Sequence, residues 1–237
     1  MYSKKYYIGT SDVDQFLDLK LSSLFVFMQD VATEHAEQLG IGKAVTLDRG
    51  LFWVITRYAV TIIRMPKYLD TVVMKTYPGD DMKFLFPRYF QLESESGEVL
   101  VKASSIWAVV EKATRHASIN PFNGMILPSE HYEGEEPLPK KIRLEELSLL
   151  EERKVRYTET DLNGHLNNTK YIEFIVDMHD KDFYSQNKFK HLDINYEKEI
   201  LAGSTVSLYT NKNNPECICG KVDGANSFEA LIEYQKR

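Results

Sequence analysis

The chain has 237 residues, 43% hydrophobic and 12% aromatic, which is enough apolar material for a packed core and too much for a disordered chain. Lysine and arginine number 29 against 35 acidic residues, a formal net charge of −6, which excludes the broad basic surface that general nucleic-acid binding requires. Cys217 and Cys219 lie too close together for a disulfide framework and lack zinc-type ligands near by, which fits a reducing, cytoplasmic compartment. Residues 1–16 carry no apolar signal-peptide core, and no run of about 18 apolar residues predicts a membrane span.

Residues 4–10 read as a short strand. From about Lys20 to Leu39 the apolar positions Leu21, Leu24, Phe25, Met28, Val31, Ala32 and Leu39 recur at spacings of three and four, which predicts a helix that stops at Gly40. Val26 and Phe27 widen its apolar face, so the helix is expected to be largely wrapped by other elements. Four segments rich in Val, Ile, Thr, Tyr, Phe and Trp follow between about residues 51 and 112, punctuated by Pro66, Pro78-Gly79 and Ser96-Gly97. The last two flank Ser-Gly and predict an antiparallel hairpin. A helix this apolar, followed by a meander of strands, predicts a sheet curved around the helix.

Residues 129–148 crowd charges, two prolines and a glycine together and read as a linker. The expected organisation is therefore a first domain over 1–128, a linker over 129–148 and a second domain over 149–237. The second begins with a strand (EERKVRYTET), a polar turn and a helical stretch (TKYIEFIVDMHDKDF), and continues as strands. A shift of 149 residues places Asp12 on Asp161, Asp14 on Asn163 and Asp18 on Asn167, and a shift of 134 places Thr71-Val72 on Thr205-Val206. Each half reads as strand, polar turn, helix and several strands, which an internal duplication accounts for.

The polar turn concentrates Asp161, Asn163, His165, Asn167 and Asn168 just before a helix. Capping of the free helix amides explains one or two of them, but neither the histidine nor the density. A helix start also offers N–H donors to a developing oxyanion. The turn DVDQFLD at 12–18 begins like a calcium loop but has Leu17 and Ser23 where glycine and glutamate are needed. GIGKA at 40–44 lacks the residues of a phosphate loop.

DLNGHLNNTKYIEF, residues 161–174, resembles the D-x-N-x-H-x-N-N-x-K-Y-I motif of the acyl-acyl carrier protein thioesterases, and INYEKEILAGSTV, residues 194–206, resembles their Y-x-x-E-[C]-x-x-G segment. The resemblance covers essentially the whole chain. It implies an α+β fold of two tandem hot-dog domains, each a curved antiparallel sheet wrapped around a long helix. It also implies hydrolysis of fatty acyl-acyl carrier protein to free fatty acid, with no metal or organic cofactor. By the same resemblance the catalytic positions are Asp161, Asn163, His165 and Glu199. The family's cysteine position falls on Ile200, which is neither nucleophile nor base, so the chemistry passes to Glu199.

In this reading Glu199, held near His165, deprotonates a water that attacks the thioester carbonyl, or attacks it directly to form an anhydride. Asn163 positions water or substrate, Asp161 fixes the loop or the imidazole, and backbone amides at the helix start receive the carbonyl oxygen. The first half has Met65 at the position of Glu199 under the 134-residue shift, which implies one active site per chain. The first half is then free to hold the acyl chain, with Leu24–Met28 and Trp53 as wall or as ordinary core. The acidic carrier protein is the expected partner, docking on basic residues among Lys140, Lys141, Arg143, Arg153, Lys154 and Arg156, each of which also suits a solvated surface. A homodimer is allowed but not required, since fused hot-dog domains already make the pairing. Two other functions stay open: an acyl-coenzyme A thioesterase of the hot-dog superfamily, and a non-catalytic acyl-binding protein.

Overall fold

The computed structural model describes every residue except Ile126, Tyr132, Glu133, Leu162 and Lys212, together with the side chains of Asn214 and Pro215. Leu162 of the polar turn and Tyr132 and Glu133 of the expected linker thus lie outside the described residues. The chain divides into two compact units, Met1–Pro139 and Lys140–Arg237.

The first unit contains β1 (Tyr2–Tyr7), α1 (Leu21–Gln38), α2 (Lys43–Asp48), β2 (Leu51–Ile62), β3 (Thr71–Pro78), β4 (Leu85–Ser94) and β5 (Val99–Glu111). Its strands lie in the order β1-β3-β4-β5-β2, every pair antiparallel. The β4–β5 hairpin turns where Ser-Gly predicts it: Gly97 takes φ +86° and donates to the Ser94 carbonyl at 3.0 Å. The face of α1 given by the three-and-four spacing is the one that is buried, with Leu24, Met28 and Val31 fully enclosed and Phe25 edge-on to Tyr58 of β2. Burying each such side chain is worth about 1.5–3 kcal/mol. Val26 faces away from that stripe and is exposed. A second apolar cluster joins Ile41, Leu51, Phe86, Val109 and Phe122, with Trp53 packed against it. Residues 134–137 are held on the unit: Lys102 Nζ donates to the Gly134 carbonyl, Thr61 to the buried Glu136, and Ser104 to the Pro137 carbonyl.

The second unit contains β6 (Leu147–Lys154), α3 (Asn168–Val176), α4 (Lys181–Gln186), β7 (Asn187–Tyr196), β8 (Thr205–Asn211), β9 (Asn214–Val222) and β10 (Ala225–Lys236). Its strands run β6-β8-β9-β10-β7, again all antiparallel. The helical stretch expected from Thr169 to Phe183 is two helices. The Asp180 side chain accepts from the Phe183 N–H at 3.0 Å and caps a new helix, so α3 has only nine residues. Phe174 and Tyr171 of α3 pack on Phe228 of β10. Gly220 of β9 gives Phe228 its room, because a Cβ there would lie 2.1 Å from the ring.

Strand order is the same in both units, β1-β3-β4-β5-β2 and β6-β8-β9-β10-β7, and the duplication extends to single hydrogen bonds. Its register at the polar turn is 147 residues, not 149. Asp14 Oδ1 accepts from the backbone N–H of Phe16 (2.8 Å) and Asp18 (3.1 Å), and Asp161 Oδ1 accepts from Asn163 (2.8 Å) and His165 (3.1 Å). The bridge Val13–Leu19 matches Thr160–Leu166, and Asp18–Lys67 matches His165–Leu201. Chemical likeness of Asp to Asn favoured 149, but the turn aligns on the carboxylate that caps it. The 134-residue register holds for the later segment, where Leu19 N–H donates to the Pro66 carbonyl and Leu166 N–H to that of Ile200. Each unit is an α+β hot-dog domain, and the chain carries two in tandem.

Candidate active site

Three short stretches of the second unit build the site: the turn Thr160–Asn167, the start of α3 and residues 199–201 after β7. The turn is closed from within. Asp161 N–H donates to the His165 carbonyl at 2.7 Å, Gly164 N–H to the Asp161 carbonyl at 3.0 Å, and the Asp161 carboxylate takes two further backbone amides. Gly164 has φ +80°, a conformation that costs a side-chain-bearing residue about 1–2 kcal/mol. The first unit places Leu17 there with φ 62°, exposed.

Leu166 N–H donates to the Ile200 carbonyl at 2.7 Å, and His165 pairs with Leu201 across a short antiparallel bridge. This pairing places the two key side chains together: His165 Nε2 lies 3.2 Å from Glu199 Oε2. The imidazole is 14% exposed and the carboxylate 37%, so the pair is open to a reactant on the glutamate side. Ile200 is buried, with its side chain in the core.

Asp161 thus acts on the backbone of the turn. The amide Nδ2 of Asn163 faces Asp161 Oδ2 at 3.4 Å, and Asn163 is exposed. Asn167 caps α3, its Oδ1 accepting from Thr169 N–H (3.0 Å) and Oγ1 (2.9 Å). The N–H of Asn168 has no partner among the described residues. The structure therefore brings His165 and Glu199 together and ties Asn163 to Asp161.

Tyr171 lies close enough to Glu199 and Asp161 to feel their charges and is not among the site residues expected from sequence. It is buried one turn into α3, and its phenol is pushed up by burial, a rise that the backbone at Ile200 opposes and the charges of Glu199 and Asp161 add to. The signal was a tyrosine one helical turn after the cap, inside the quoted motif.

A tandem hot-dog chain with a His–Glu pair between a capped turn and a short bridge belongs to a recognisable class, and comparison with known proteins places it. The family model of the acyl-ACP thioesterase N-terminal domain matches residues 1–121, and that of the acyl-ACP thioesterase C-terminal domain matches residues 143–236. The chain belongs to the acyl-ACP thioesterase family. Among curated relatives, it is 23% identical over 95% of its length to oleoyl-acyl carrier protein thioesterase 2, chloroplastic, of Arabidopsis thaliana. It is 25% identical over 89% of its length to palmitoyl-acyl carrier protein thioesterase, chloroplastic, of Gossypium hirsutum. The chain spans 66% of the first relative and 54% of the second. Among solved structures, an acyl-ACP thioesterase from Bacteroides thetaiotaomicron superposes with a TM-score of 0.86 at 21% identity, covering 99% of this chain and 97% of that one. The 12:0-ACP thioesterase from Umbellularia californica gives 0.81 at 19% identity, covering 100% and 97%.

Proposed function

We propose that this protein hydrolyses the thioester of a fatty acyl group carried on acyl carrier protein, releasing the free acid. The observation that carries the reading is the 3.2 Å contact of His165 with Glu199 in a family member that has Ile200 at the family's cysteine position. Glu199, paired with His165, takes a proton from water as the water oxygen attacks the thioester carbon. The new C–O bond forms, the carbonyl oxygen becomes an oxyanion, and the C–S bond breaks as the thiolate leaves and receives the proton. The Asn168 N–H at the start of α3 is the donor for the oxyanion. Asn163 orients water or substrate, and Asp161 keeps the turn in shape. The second domain, 149–237, is then the catalytic one and the first domain, 1–128, holds the acyl chain, with the aromatic cluster of Trp53, Phe86 and Phe122 as an apolar wall.

The test is hydrolysis of one acyl group presented on carrier protein and on coenzyme A, with Glu199→Ala alongside. Faster turnover on carrier protein and loss in the variant support the reading. A preference for coenzyme A moves the protein to the acyl-coenzyme A class, and full activity of the variant removes Glu199 from the mechanism. Single turnover in oxygen-18 water separates water attack from an anhydride, since label in Glu199 after one turnover requires direct attack.

A further inference from the structure

One face of the second unit carries a cleft of about 560 Å3 lined by Arg153, Lys154, Arg156, Thr158, Glu159 and Lys170. Its charges are not equivalent. Arg153 is spent on Glu159 (3.2 Å) and Asp177 (2.9 Å) and packs over the Phe174 ring, and Lys170 is paired with Glu173 at 2.7 Å. Glu159 also accepts from the Arg156 backbone N–H at 2.8 Å. Lys154 and Arg156 have no ion pair among the described residues. They stand two apart on an extended segment with buried Val155 between them, so their side chains leave the same face. The cleft thus keeps a positive surplus from one guanidinium fork and one ammonium beside the hydroxyl of Thr158.

We infer that this cleft is a phosphate site, and that it receives the phosphate of the phosphopantetheine arm that presents the thioester. This rests on the thioesterase reading above. An arginine fork, a lysine point charge and a hydroxyl converging in a concavity suit a compact anion with several charged oxygens, which accepts from many directions at once. The cleft lies on the segment that leads into the reactive turn. The segment that forms its wall runs straight into Asp161, and the Glu159 carbonyl accepts from Asn167 N–H, the cap of α3, at 2.9 Å. A phosphate held here tethers the arm to the segment that leads into the turn carrying His165.

Calorimetry with phosphopantetheine and with pantetheine tests the site apart from catalysis. The wild-type protein should bind the phosphorylated arm about tenfold more tightly, and Lys154→Ala/Arg156→Ala should erase that difference. Both side chains are exposed, and a thermal melt of the double variant verifies folding. The kinetic counterpart is the ratio of KM for acyl-pantetheine to KM for acyl-phosphopantetheine, expected to fall towards one in the variant. Equal binding of both arms by the wild type, or a preference that survives the double substitution, overturns the inference. A KM increase confined to acyl-carrier protein, with arm binding unchanged, assigns the charges to the carrier's acidic side chains and also overturns it. Comparable KM increases with acyl-carrier protein and acyl-coenzyme A are the expected result for a phosphate common to both arms. Normal arm binding without hydrolysis of any thioester would instead defeat the thioesterase reading and leave the phosphate site standing.

Discussion

Asp18 and His165 occupy the same place in the same turn, each donating its backbone N–H to the carboxylate four residues earlier and each bridged to a segment across from it. In the second unit the segment across from the turn presents Glu199 to the imidazole. In the first, Asp18 is buried against Lys67 Nζ at 2.5 Å, and the position of Glu199 holds Met65. One copy of the turn therefore carries an imidazole beside a carboxylate, and the other an ion pair of Asp18 with Lys67. This contrast motivates the prediction that hydrolysis resides in the second unit.

If His165 and Glu199 work as one unit, removing either should cost nearly everything the pair supplies. His165→Ala and Glu199→Gln should each lower kcat by about 10²–10⁴-fold, with the double variant no worse than the slower single one. Steady-state kinetics on acyl-carrier protein measures this, and multiplicative losses would show that the two act separately.

The capping carboxylates provide a matched pair of controls. Asp161→Ala and Asp14→Ala each strand two backbone amides and should each cost about 1–2 kcal/mol in chemical denaturation. Only Asp161→Ala should also reduce kcat, because only that turn carries the imidazole. Asp161→Asn keeps an acceptor oxygen and should stay within about 0.5 kcal/mol of the wild type.

Acid should destabilise the first unit through His35. This ring is buried on α1, and its Nδ1 lies 3.1 Å from Nη1 of the buried Arg88, which can only donate. The ring is thus neutral with the proton on Nε2, and burial, then the Arg88 charge, push its pKa down to about 4. Burial also lowers Arg88 to about 10. Between the folded value near 4 and the ordinary 6.5, the unfolded chain binds the extra proton. Stability from this group is therefore complete above pH 6.5 and is lost as pH falls towards 4, by about 3 kcal/mol. Unfolding free energies across pH 4–7 for the wild type and His35→Gln should diverge by that amount, and parallel curves would show that the ring is not titrating.

Gly220→Ala tests the packing behind the site. Its Cβ meets Phe228, which is fully buried and packs on Tyr171 and Phe174, so the ring has to move against other rings. A loss of about 1–3 kcal/mol is expected in denaturant titration.

The apolar stripe of α1, the Ser-Gly hairpin of β4 and β5 and the repeated order of elements were legible in the sequence, because periodicity and turn chemistry are local properties. The density of polar groups from Asp161 to Asn168 was equally visible. Its division of labour was not: Asp161 and Asn167 cap backbone, Asn163 turns to Asp161, and His165 reaches across to Glu199. The break after Val176 was also hidden, because an Asp180 cap competes with a helical pattern that runs on through it.

By itself, the sequence determined the buried stripe of α1, the strand-rich stretch that follows it, and that the architecture occurs twice. Only the tertiary structure decided the 147-residue register and the pairing of residues 34 positions apart in the chain. The reason is physical. Propensity and periodicity act over a few residues, whereas the approach of His165 to Glu199 depends on a backbone bridge between distant segments, and no local pattern encodes that bridge.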